Sequence, residues 1–458
     1  MQGLTAQLGA FVAQPGLDRI PEEALRTVRS GFIDTVATML AGRDEPVTKL
    51  VVDHVRARRS ALAEASLLLG DERAGAADAA LVNGVAAHAL DYDDVALAGH
   101  PSTVLVPAVI AEGEATDASG RAAMRAYLVG YEVWAELIGR ETDAHHTKGW
   151  HPTGVFGTVA AAAAVANLRG LDDEKARHAL AIAASLAAGL TANFGTMTKP
   201  FHAGRAAANG IEAVRLAQAG MTAAPDAFEH AGGFLTALSP RGNVDRTRPA
   251  SGLGKRLAIL EQGLSIKKYP MCYATHRVID GVLDLARAND VKPAAVEHVN
   301  ATIGTAQAGM LRNHAPVTGL EAKFSLEFAV ASALVAGKVG LSELTDEFVA
   351  RPAVREAMGK VSIATTDTRC TFEPVFSFTD RVALKLKDGR TLDSGEIRFA
   401  RGNAQLPLRD EELRAKFMDC LATVTHPDPG ALFERLIGLD GLGSICALAE
   451  SRDARRVA

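Results

Sequence analysis

The chain is short of cysteine, of aromatic residues, of positive charge and of long apolar runs, and each shortage excludes something. Four cysteines in 458 residues, Cys272, Cys370, Cys420 and Cys446, stand far apart with no CxxC spacing. That pattern offers neither a disulfide framework nor a zinc site, and it fits a reducing compartment. The formal net charge is −5, with no basic block and no basic amphipathic stretch, so neither nucleic acid nor an anionic membrane surface is expected as a partner. The most apolar segments, 155–168 and 179–192, are rich in Ala and Gly and shorter than the roughly 20 residues of a membrane-spanning helix. The first residues show no basic region followed by an apolar core and no Arg-rich amphipathic pattern, which leaves the cytoplasm as the expected location. With aromatics at only 5%, the core has to be built from small and aliphatic side chains, which favours closely packed helices.

The length exceeds the roughly 250 to 300 residues at which a single core stops growing, so two domains are expected. From Pro21 to about Gly220 apolar residues recur at spacings of three and four, the period of a helix. The pattern predicts helices over 22–40, 76–90, 122–138, 153–168, 173–188 and 205–219, most of them followed by a glycine that can cap the C-terminus. Beyond Pro270, β-branched alternation marks 298–304 and 369–399, and Asp388-Gly389 between VALKL and TLDSGEIRF signals a hairpin. Helical stretches at 278–288, 326–336 and 341–348 interrupt this region, and 410–449 reads as helix again. The expected architecture is mainly α: a large helical domain over 1–265, rejoined by 400–458, and a smaller α+β domain over 266–399.

Four segments carry residues with chemistry. The run His88-Ala-Leu-Asp91-Tyr-Asp93-Asp94 closes a helix and leads into Gly99-His100-Pro101-Ser102. Carboxylates at a helix C-terminus oppose the macrodipole and so ask for a reason; a solvated loop is the plain alternative. A magnesium site for a diphosphate is another, although the sequence offers no second acidic cluster to face it. In His145-His146-Thr-Lys148-Gly-Trp150-His151-Pro152, the proline marks a helix start, and a histidine there should be held neutral and suited to acid–base work. His145 and His146 read equally well as structural.

The third segment, Asn193 to Arg205, sets Lys199 and Arg205 around a helix start, where backbone N–H groups already favour an anion such as a ligand carboxylate. The fourth, Ile266 to Arg277, lies where one domain gives way to the other. Lys267 and Lys268, read as a strand end, project to opposite faces, so only one is expected to face a cleft. Cys272 has no histidine partner in sequence and reads as a small buried hydrophobe.

Taken in order, DTVATMLAG from Asp34, NGVAAHALDYDD, GHPSTVLVPA, GYEVWAELIGR, GWHPTGVFGT, GTMTKPFHAGRAAANG, KKYPMCYATH and EAKFSLEFAVA, which contains Phe328, resemble the MmgE/PrpD family. The resemblance implies a large helical domain with an α+β lid, normally in a homodimer, and metal-free, cofactor-free acid–base chemistry on a small di- or tricarboxylate. Family activities are 2-methylcitrate dehydration, cis-aconitate decarboxylation and iminodisuccinate epimerisation. The implied catalytic residues are Asp93, His100, His151, Lys199, Lys267 and His276, with Lys199, Lys267, Arg205 and Lys268 as candidates for binding substrate carboxylates. The pairing of HHTKGWHPT with NFGTMTKPFH is most similar to epimerase-type members. The decarboxylase branch has a tyrosine shortly before the EAxxS motif, where this chain has Gly309-Met310-Leu311-Arg312. A decarboxylase-like lyase is the alternative activity, and a polycarboxylate-binding protein without turnover is the alternative of another class.

Overall fold

The structure is a computed structural model that describes residues 2–449 apart from 18, 59, 60, 374, 423 and 427. The chain divides into two compact units, Met1–Ser265 with Glu411–Ala458, and Ile266–Asp410. The first boundary falls where the sequence changes character. The return to the first unit comes at 411 rather than 400, because the segment between still belongs to the second unit.

The first unit runs through α1 (Leu4–Ala13), α2 (Glu22–Ala41), α3 (Pro46–Ala57), a two-stranded antiparallel ribbon of β1 (Ala65–Ser66) and β2 (Arg73–Ala74), α4 (Ala76–Ala89), α5 (Ser102–Thr116) and α6 (Gly120–Ile138). It continues with α7 (Pro152–Leu168), α8 (Asp173–Leu186), α9 (Thr198–Gln218) and the short α10 (Phe234–Leu238) and α11 (Ala258–Gln262). The centre is α7, buried at every position from Pro152 to Asn167. A helix apolar all round belongs inside a bundle, and its alanines let α6, α8 and α9 lie close against it. The crossing of α4 and α9 depends on two glycines: a Cβ on Gly84 would stand 2.7 Å from the Gly204 Cα, and one on Gly204 would stand 2.2 Å from the Leu81 carbonyl oxygen. This close approach brings the C-terminal end of α4 beside the first turn of α9.

The second unit contains α12 (His276–Ala288), β3 (Val296–Gly304), α13 (Thr305–Met310), α14 (Gly319–Ala322), α15 (Leu326–Ala336), α16 (Asp346–Val349), α17 (Pro352–Met358), β4 (Val361–Thr366), β5 (Arg381–Leu386) and β6 (Thr391–Asp393). The sheet order is β4-β3-β5-β6, with β3 and β4 parallel and the other pairs antiparallel. Its core joins α12 and α15 to the inward residues of β3 and β5. Two further helices, α18 (Asp410–Leu421) and α19 (Pro429–Ile437), follow it.

The sequence reading needs correction in four places. Helix α9 begins at Thr198, not 205; Pro200 is tolerated because the first helical N–H groups have no intrahelical acceptor to lose. Among the described residues the stretch 369–399 contains only β5 and β6, joined through a turn at Gly389 (φ 89), and the third partner is β4, drawn in parallel to β3. The expected helix 341–348 is a 3-10 turn followed by α16, since Thr345 caps the new start by accepting from the Phe348 N–H. The last helical stretch breaks into α18 and α19, with Pro429 opening the second.

Candidate active site

The loop between α4 and α5 carries the first part of the site. Beyond α4 the backbone turns left-handed at Asp91 (φ 52), and again at Leu97 (φ 50) and Ala98 (φ 56). Conformations of this kind cost about 1–3 kcal/mol each and persist where the surroundings enforce them. At Leu97 and Ala98 the turn is closed by reciprocal backbone bonds between Ala96 and Gly99 (3.0 and 2.8 Å) and anchored by those between Val95 and Ser265 (2.8 and 3.0 Å).

Asp93 is fully buried between two imidazoles. Its two oxygens each lie 2.9 Å from His88 Nδ1, and Oδ2 lies 3.0 Å from His100 Nδ1. His100 Nδ1 also stands 2.8 Å from the Asp94 carbonyl oxygen. A carbonyl can only accept, so Nδ1 of His100 carries the proton and Nε2 is left as the basic nitrogen in the neutral ring. That Nε2 is 3.9 Å from Asp91 Oδ1, which accepts from Lys199 Nζ at 2.7 Å. Burial pushes the pKa of His88 down to about 4, against the pull of Asp93. Burial alone would raise Asp93, but the two imidazoles outweigh it and hold the carboxyl well below its usual range.

His151 occupies the N-cap position of α7, without a side-chain bond to the helix, and is buried. Its pKa is lowered, first by burial and then by the neighbouring His88, His100, Lys199 and His202; the expected neutral imidazole is present, with burial rather than the helix end as the main cause. Its Nδ1 lies 3.1 Å from His202 Nδ1, and its ring meets Phe194 edge-on at 4.8 Å. Lys199 stands in the first turn of α9 with Nζ 5.5 Å from the centre of the Phe194 ring. Four of the six expected catalytic residues, Asp93, His100, His151 and Lys199, therefore gather in the first unit.

Asp94 turns into a separate buried network. It accepts from Ser102 Oγ (3.0 Å), which bonds to Tyr127 (2.7 Å), and its pKa is raised well above normal by burial and then by Asp34 and Asp93. Lys416, from α18, pairs with Asp34 at 2.5 Å, donates to the Tyr92 carbonyl at 2.8 Å and stands over the Tyr92 ring at 3.9 Å.

In the second unit, Lys267 is buried and Lys268 half-buried, on an irregular segment rather than the strand end expected. His276 opens α12, fully buried, between the rings of Tyr269 (5.2 Å) and Tyr273 (5.0 Å). Cys272 is half-buried. Arg205 departs from the expectation of a substrate-binding cation: it pairs with Glu212 at 3.7 Å, more than a third exposed. With α9 beginning at Thr198, six helical steps of about 100° turn Arg205 roughly 120° away from Lys199, whereas His202, three steps on, shares its side. His145 packs on Phe156 (4.8 Å) as a structural residue.

His88, Asp91, Asp93 and His100 each offer one ligand atom within 4.8 Å of the others. A cation entering there would have to take Asp91 from Lys199 and Asp93 from the two imidazoles. The catalytic and binding residues expected from sequence leave out His88, Asp91, His202 and Lys416, although His88 and Asp91 stand in a run that the sequence marks as carrying chemistry. Signals existed for two of them: His202 follows Lys199 by three residues, and His88 precedes Asp93 by five. Nothing local marks Lys416.

Comparison with known proteins identifies the family of the chain. Residues 6–247 match the MmgE/PrpD N-terminal domain and 269–436 the MmgE/PrpD C-terminal domain. The chain is 28% identical over 432 residues to cis-aconitate decarboxylase of Mus musculus, covering 91% of this chain and 86% of that protein. It is 29% identical over 412 residues to the Homo sapiens cis-aconitate decarboxylase (87% and 83%) and 25% over 475 residues to that of Aspergillus terreus (98% and 95%). The chain belongs to the MmgE/PrpD family, as an enzyme of its dehydratase and decarboxylase type.

Proposed function

We propose that this enzyme moves a proton at the carbon next to a carboxylate of a small di- or tricarboxylate, with cis-aconitate the first candidate substrate. The observation that carries the reading is Asp93 clasped between His88 and His100, beside the Lys199–Asp91 pair. In this reading Lys199 binds a substrate carboxylate and stabilises the charge that develops on it, a contribution worth a few kcal/mol in a dry site. His100 Nε2 and the neutral His151 give and take the proton, each worth about 10² to 10⁴ in rate. Asp93 supports the charge that develops on the His100 ring, and the family resemblance adds Lys267 and His276 to the set. The decarboxylase relatives support cis-aconitate as substrate. Epimerisation is the second reading, favoured by HHTKGWHPT and by the absence of tyrosine over Gly309-Met310-Leu311-Arg312. A cytoplasmic homodimer without cofactor completes the proposal.

Proton NMR in deuterium oxide, with cis-aconitate, 2-methylcitrate and iminodisuccinate in separate tubes, tests it. Deuterium entering beside a carboxylate supports carbon-acid chemistry, and the product identifies the branch. No exchange in any tube would overturn the substrate class.

A further inference from the structure

His151 and His202 face each other through like atoms. With Nδ1 to Nδ1 at 3.1 Å, one ring must donate and the other accept, so a single proton lies between them. The pair therefore has two neutral states. With the shared proton on His151, its Nε2 is a base; with the proton on His202, His151 carries its own proton at Nε2 and is an acid. The backbone holds the two rings in register: the His151 N–H donates to the Gly189 carbonyl at 3.0 Å, and a Cβ on Gly189 (φ 144) would stand 3.3 Å from the His202 ring. His151 retains 2% exposure and His202 8%, so His202 is the ring nearer to solvent.

We propose that His202 relays protons between solvent and His151, switching His151 between base and acid within one turnover. The inference rests on the acid–base reading of His151 given above. When the substrate carbon is protonated, the Nε2–H bond of His151 breaks towards carbon, His151 Nδ1 takes the proton from His202 Nδ1, and His202 Nε2 takes one from water, leaving hydroxide in solvent. Abstraction runs the same chain in reverse. Neither imidazole is left charged, which matters because burial disfavours a cation at both, helped by His88, His100 and Lys199 at His151 and by Lys199 at His202. His202 acts through His151 and is a positioning residue, not one that touches substrate.

His202→Phe keeps the bulk of the ring and removes the relay, and His202→Ala opens a space for a diffusing one. Both should lose about 10²-fold in kcat, with KM within about threefold of wild type. Added imidazole should restore His202→Ala in proportion to its concentration, while thiazole, of the same shape without N–H, should not. Wild-type kcat in His202→Phe, or equal rescue by thiazole, would overturn the relay. A second measurement needs no substrate: in protein labelled with ¹⁵N-histidine, the His151 ring shifts should report two exchanging tautomers in the wild type and one in His202→Phe. One fixed tautomer, unchanged by the substitution, sinks the relay even if none of the three substrates turns over, and so separates its failure from that of the proposed function.

Discussion

His88 Nδ1 stands 2.9 Å from both carboxylate oxygens of Asp93, and burial drives its pKa from 6.5 to about 4. On unfolding the ring regains its ordinary value, so between about pH 4 and 6.5 the unfolded chain binds the extra proton. Stability from this group is complete above 6.5 and is lost as pH falls towards 4, by up to about 3 kcal/mol at about 1.4 per unit. His88→Asn keeps a donor and removes the titration. Urea unfolding at several pH values across this window should give a shallower stability slope for the variant, and parallel slopes would refute the assignment.

Asp93→Asn tests the support given to His100 with little change in volume. An amide offers one acceptor oxygen and no charge, so His100, still held at Nδ1 by the Asp94 carbonyl, loses the carboxylate that supports positive charge developing on its ring. We expect kcat to fall by about 10² to 10⁴ with KM little altered, because the buried Asp93 acts through His100. Steady-state kinetics on the exchanging substrate decide it; a KM effect alone would make Asp93 a binding residue.

How much of this was legible in the sequence depends on how far the chain travels between partners. His88, Asp93 and His100 lie within one helix end and its loop, and the character of that loop, carboxylates against a helix C-terminus, was readable. His151 was readable from the proline after it. A helix beginning at Thr198 rather than 205 turns Arg205 away from Lys199 and brings His202 to its side, which the sequence pattern alone does not reveal. The β4 strand was missed because its partner β3 lies across a long crossover, and a parallel pair leaves no hairpin signal. Lys416 meets Asp34 from the far end of the chain, and no local pattern announces such a pair.

Lys199 has two partners to satisfy, Asp91 now and a substrate carboxylate in the proposed reaction. Lys199→Met should lower kcat/KM by about 10² to 10³. If the lysine served only to neutralise Asp91, the double variant with Asp91→Asn would recover activity. We expect it not to, and recovery would remove Lys199 from substrate binding.

The Lys416–Asp34 pair is buried on both sides, and its ammonium also holds the carbonyl of Tyr92, the residue between Asp91 and Asp93. Lys416→Met should cost about 3–5 kcal/mol, because a carboxylate buried near Asp94 loses its cation. Replacing both partners, Lys416→Met with Asp34→Asn, should return much of that loss, since two apolar or neutral groups avoid the uncompensated charge. Urea unfolding of the two single variants and the double gives the coupling energy directly. Activity adds a separate reading: with the Tyr92 carbonyl released, kcat should stay depressed in the double variant after stability recovers. Recovery of both together would mean that α18 supports the first unit without steadying the catalytic loop.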